Sequence, residues 1–160
     1  MRTLTDHLNK EASLYRELIE ILQKETEDLI VRDYKGLYDT VGRKEQVLNR
    51  IAKAAPQRLR LIKEAALRLG VTGAPGLSAV IERAHGAEKE ALKSARDIIV
   101  SLIESAKEIN TVNSLAMKDS LENIKKTLGF LGNFLPGGTY KQSGAFDTAS
   151  IKGSRLSEGA

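Results

Sequence analysis

Residues 77–131 read LSAVIERAHGAEKEALKSARDIIVSLIESAKEINTVNSLAMKDSLENIKKTLGFL, and this stretch decides the fold. It holds no proline. Apolar residues recur through it at helical spacing: Val80, Ile81, Ala84, Ala91, Leu92, Ala95, Ile98, Ile99, Leu102, Ile103, Ala106 and Ile109, then Val112, Leu115, Ala116, Leu121, Ile124 and Leu128. Such a period is the mark of an amphipathic helix. A helix of roughly 50 residues is about 75 Å long. No compact globule of 160 residues accommodates that length. The spacing therefore predicts a rod, with the earlier helices folded back along this one. No stretch alternates as a strand would.

Upstream, Gly70-Val71-Thr72-Gly73-Ala74-Pro75-Gly76 is the strongest break in the chain. Gly70 reads as the residue just past a helix end. The loop is short, so the helices flanking it should lie antiparallel. Before it, Leu37, Val41, Leu48, Ile51 and Leu59 form a stripe that continues through Leu61, Ile62, Ala65, Leu67 and Leu69. Asp33 can cap this helix, Gly36 and Gly42 weaken it, and Pro56 predicts a kink or a restart. In the first helix, expected to start from a Thr5 cap, Leu8, Tyr15, Leu22 and Leu29 keep strict seven-residue spacing. Leu4, Leu14, Leu18 and Ile21 flank them, a pattern of coiled-coil packing.

The expectation is an all-α fold: an elongated antiparallel helical hairpin or three-helix coiled-coil-like bundle with a flexible C-terminal tail. Helices are expected at about 4–32, 34–69 (kinked near 56) and 77–131, forming a rod over 1–131. Gly132, Pro136, Gly137 and Gly138 end it, and the Ser-, Gly- and Thr-rich remainder, 132–160, is expected to be mobile.

Composition agrees. Apolar residues make up 41% but aromatics only 4%, with no Trp, so aliphatic seams must do the packing. Cysteine is absent, which excludes disulfides and thiolate metal sites. No apolar run approaches the ~20 residues of a membrane span. The N-terminus lacks the apolar core of a secretory signal. A bacterial cytoplasmic location without membrane insertion is expected.

The net charge of +4 is unevenly placed. Residues 43–70 carry Arg43, Lys44, Arg50, Lys53, Arg58, Arg60, Lys63 and Arg68 against Glu45 and Glu64. The first helix carries Glu17, Glu20, Glu25, Glu27, Asp28 and Asp33. The two segments can attract each other as antiparallel neighbours. The alternative is an anionic partner, making the protein a basic helical nucleic-acid-binding protein or a coiled-coil adaptor. Nucleic-acid binding is disfavoured, because the stretch lacks aromatics for stacking and any recognised reading module.

Nothing in the sequence carries catalytic chemistry. His7 and His85 are the only histidines, neither at metal-ligand spacing, and both are expected on solvated surfaces. There is no phosphate-binding loop and no nucleophile elbow. A non-enzymatic protein without cofactor or metal follows. The best candidate interaction surface is the end of the long helix, where Leu128, Phe130, Leu131, Phe134 and Leu135 cluster. Tyr140 lies beyond the glycines, where a ring has no core to fill and can anchor an interface.

Together these features resemble the FlgN family of flagellar export chaperones. The likeness rests on the Leu/Glu-rich first helix, the Asp33-x-x-x-Leu37 step and Lys44-Glu45-Gln46-Val47-Leu48. It continues in Asn110-Thr111-Val112-Asn113, similar to the family's paired Asn, followed by the apolar stretch Leu115 to Leu128. Thr139-Tyr140-Lys141-Gln142-Ser143-Gly144 is similar to the family's Tyr-Gly-x-x-Gly element, with Lys141 where Gly is usual. The resemblance implies a type III secretion chaperone. It would bind the C-terminal helical regions of hook-associated (hook-filament junction) proteins, prevent their premature assembly and deliver them to the export gate. Leu128, Phe130, Leu131, Phe134 and Leu135 would hold cargo. Tyr140 would engage the gate's cytoplasmic domain.

Overall fold

The computed structural model describes residues 2–73 and 75–132, with side chains for 3–73 and 75–128. All regular structure among them is helical: α1 Arg2–Val31, α2 Tyr34–Arg68, α3 Leu77–Arg83 and α4 Gly86–Gly132. The chain divides into two compact units, Met1–Ala116 and Met117–Ala160.

The α1–α2 pair is an antiparallel hairpin. Its joint is tight: Arg32 adopts a left-handed φ of 57°, and Asp33 caps α2. The Asp33 carboxylate accepts from the Gly36 amide at 2.9 Å. A Cβ on Gly36 would stand 2.5 Å from Asp33 Oδ2, so this glycine makes room for the cap. Gly36→Ala should displace the cap and cost about 1 kcal/mol, although alanine is the better helix former. A chemical denaturation midpoint equal to or above wild type would contradict it.

Four polar contacts rung the hairpin: Asp28 to Thr40, Glu25 to Lys44, Glu17 to Arg50 and Glu11 to Arg58. The basic stretch is thus met by the acids of α1, as antiparallel neighbours require. The seam has strict heptad spacing on both sides. In α1 it runs Leu4, Leu8, Glu11, Tyr15, Leu18, Leu22, Glu25, Leu29, and in α2 Thr40, Lys44, Val47, Ile51, Ala54, Arg58, Leu61, Ala65. Glu11 and Glu25 are two heptads apart, and so are their partners Arg58 and Lys44. A seven-residue slip would bury both carboxylates against apolar or mismatched neighbours, so the two pairs fix the register.

Three sequence expectations are corrected. First, α1 begins at Arg2 rather than after a Thr5 cap. Leu4 is 1% exposed, and burying it demands a helical turn ahead of Thr5. Second, His7 is buried, with Nε2 placed 3.2 Å from Glu11 Oε1 and 3.1 Å from the Ala54 carbonyl. Its position near a helix start suggested solvent, but α2 covers it. Third, the expected helix over 77–131 is interrupted. Ala84 is extended (φ −69°, ψ 156°) and Gly86 has φ +58°. The interruption lets Val80, Ile81 and Ala84 all be buried in the main core, which outweighs the propensity for one continuous helix.

Pro56 lies inside α2, which continues through it without restarting. The proline leaves the Ala52 carbonyl without a helical donor, and Ala52 is exposed, so water can serve it. At the end of α2, Gly70 adopts φ 65°. The Gly70 amide donates to Leu67 O and the Val71 amide to Ala66 O, closing the helix with a Schellman motif.

Two apolar clusters hold the first unit. One joins Leu4, Leu8 and Ala12 to Ile62, Ala65 and Ala66, to Val80, Ile81 and Ala84, and to Leu92, Ala95 and Ile99. The other joins Leu18, Ile21 and Leu22 to Val47 and Ala106. Low residue numbers in α1 pair with low ones in α4, so these helices run parallel, with α2 antiparallel to both.

Candidate functional site

Asn113 ties α4 to the hairpin. It is 1% exposed. Its Nδ2 donates to Leu22 O and to Glu25 Oε2, both at 2.9 Å. Its Oδ1 accepts from the Thr26 hydroxyl at 2.7 Å. Glu25 is fully buried and takes the Lys44 ammonium on its other oxygen. Three helices therefore meet at one satisfied polar node. Asn110, its companion in the sequence motif, is exposed.

One turn further along α1, Asp28 is 1% exposed and receives the Lys24 ammonium at 2.8 Å and the Thr40 hydroxyl at 2.8 Å. The lysine contact, then the threonine hydrogen bond, hold its carboxyl below the usual carboxylate range, against the opposing effect of burial. A depressed acid contributes stability that is complete above its unfolded pKa of about 4 and is lost as pH falls through the lower folded value. Asp28→Asn should therefore flatten the acid limb of the stability curve below about pH 4. Unfolding midpoints between pH 2 and 7 would test this, and parallel wild-type and variant curves would refute it.

The surface of α4 changes character along its length. In the first unit it buries Leu92, Ala95, Ile99, Ala106 and Asn113, although Val112 and Leu115 there are already 56% and 59% exposed. In the second unit Leu121, Ile124 and Leu128 are 58%, 44% and 48% exposed. Their three- and four-residue spacing puts them on one helix face, and Leu131 occupies the next position of that register. The sequence-assigned residues divide accordingly. Leu128 is exposed. Phe130 and Leu131 belong to α4, but their side chains lie outside the described residues. Phe134, Leu135, Tyr140 and Gly144 lie outside them altogether, as does the expected mobile segment after Gly132.

Leu121 and Ile124, which belong to the helical stripe and to the apolar stretch Leu115 to Leu128 but not to the expected cargo-holding set, are as open as Leu128. A second exposed group was not anticipated: Ile30, Val31, Tyr34 and Tyr38, each at least 62% exposed at the α1–α2 joint. Its signal was the breakdown of the heptad near Asp33, which leaves apolar residues without a seam. Among the described residues no group of three or more His, Cys, Asp or Glu is placed to hold a metal, and no helix is long and apolar enough to cross a membrane.

A search of curated proteins and a search of solved structures gave no significant match. The family model described as FlgN protein matches residues 1–147, nearly the whole chain. The parallel and antiparallel helices, the Asn113 node and the open apolar end of α4 thus belong to a member of the FlgN family of flagellar export chaperones.

Proposed function

We propose that this protein is a bacterial cytoplasmic chaperone for hook-associated proteins. It binds their C-terminal helical regions, keeps them from assembling early and presents them to the cytoplasmic domain of the flagellar export gate. The observation that carries this reading is the exposed Leu121, Ile124 and Leu128 face. An apolar stripe at helical spacing is the complement of an amphipathic partner helix. Leu131, with Phe130, Phe134 and Leu135, extends the same apolar chemistry along the sequence. Tyr140, separated from them by Pro136, Gly137 and Gly138, is assigned to the gate.

The two roles separate by mutation. In paired pull-downs, Tyr140→Ala should weaken gate docking and spare cargo. Loss of cargo binding with gate docking intact would reverse the assignment.

The rival nucleic-acid reading loses support from the ion pairs that engage Lys44, Arg50 and Arg58 with α1. Fluorescence anisotropy should show no specific DNA or RNA complex at physiological ionic strength. A sub-micromolar complex that weakens steeply with salt, as counterion release requires, would restore it.

A further inference from the structure

The first unit contains an apolar groove of about 230 Å³ that the packing of its helices leaves open. Tyr15, Leu18 and Leu22 of α1 line it, with Lys44 and Leu48 of α2 and a strip of α4 from Ile103 to Asn110. Along both α1 and α4 it runs from end to end over eight residues, seven helical steps or about 10 Å. The volume falls below the ~300–1,000 Å³ of small-molecule pockets. It suits side chains inserted from a neighbouring helix.

The polar lining is one-sided. Lys44, Lys107, Asn110 and Tyr15 are its polar lining residues, and no Asp or Glu is among them. Lys44 is neutralised by Glu25. Among the described residues, the side chains of Lys107 and Asn110 have neither ion pair nor hydrogen bond. Burial, then the nearby Glu11 charge, raise the Tyr15 pKa, with Arg58 opposing them, so its phenol remains a neutral donor. An unopposed cation and an idle amide therefore stand beside an apolar cleft.

We propose that this groove is a docking site for an amphipathic helix that inserts two apolar side chains one turn apart and sets a carboxylate against Lys107 and Asn110. Resting on the function proposed above, the helix belongs to the cargo. The groove is then a contact additional to the exposed face of Leu121, Ile124 and Leu128.

The test uses the full chain and purified C-terminal helical regions of hook-associated proteins as probes. Leu48 and Lys107 are exposed, so Leu48→Ser and Lys107→Glu should leave the fold unchanged in circular dichroism. Each should weaken binding about tenfold, and the Lys107→Glu deficit should shrink as salt rises. Because the chain has no cysteine, Leu48→Cys gives a single labelling site that bound probe should protect from a thiol reagent. Wild-type affinity in both variants, with Leu121→Ser/Ile124→Ser still disrupting the complex, would overturn the groove and leave the chaperone reading standing. No binding of any probe to wild type would overturn both. If deleting residues 133–160 made the thiol of the Leu48→Cys variant more reactive, the chain's own end would be the occupant, which also overturns the proposal.

Discussion

Lys44→Met is expected to lower the unfolding free energy by about 3–5 kcal/mol, the cost of leaving a buried charge without its partner. Glu25 has no exposed surface, and its carboxylate meets Lys44 on one side and Asn113 on the other. Methionine matches the lysine stem in shape but cannot balance the carboxylate. Removing both charges, as Lys44→Met with Glu25→Leu, should restore most of the loss. Asn113 would then keep its bonds to Leu22 O and Thr26. The comparison is a double-mutant cycle read from urea midpoints with unchanged slopes. A single-variant effect below about 1 kcal/mol would mean that the pair does not hold the seam.

The second large effect falls on binding. Replacing Leu121, Ile124 and Leu128 together by Ser should remove about 1–3 kcal/mol of cargo affinity per anchor if each is a hot spot. A micromolar complex would then escape detection by calorimetry. The helix should persist, because these residues are already open and serine costs an exposed helix about 0.5 kcal/mol. Circular dichroism run beside the titration separates lost binding from lost structure. Unchanged affinity would move the cargo surface elsewhere, and the exposed Ile30, Val31, Tyr34 and Tyr38 group would be the next place to look.

The helical class was legible because periodicity survives without tertiary knowledge. Leu8, Tyr15, Leu22 and Leu29 mark the α1 seam by spacing alone, and Gly70 marks the end of α2. The acids of the seam were harder to see. Glu11 and Glu25 look like surface residues by type, and only the heptad register shared with Arg58 and Lys44 places them inside. The break before Gly86 was harder to see because its one local signal, Gly86 itself, is weak: a lone glycine is tolerated in a helix at about 1 kcal/mol. The gain comes from Val80, Ile81 and Ala84 reaching a core built by other helices. For the candidate site, the sequence exposed the apolar end of α4 but not the partners of Asn113, which lie about 90 positions away.

That separation has a kinetic consequence. Asp28 and Thr40 are 12 positions apart, whereas Asn113 and Leu22 are 91 apart. Closing short loops costs less entropy and precedes long-range docking, so the α1–α2 hairpin should form first and α4 last. During synthesis the hairpin emerges before α4 exists, with Leu4, Leu8 and Ala12 still lacking Leu92, Ala95 and Ile99. The nascent chaperone therefore passes through a stage at which its own uncovered leucines make it aggregation-prone, until translation delivers the helix that covers them.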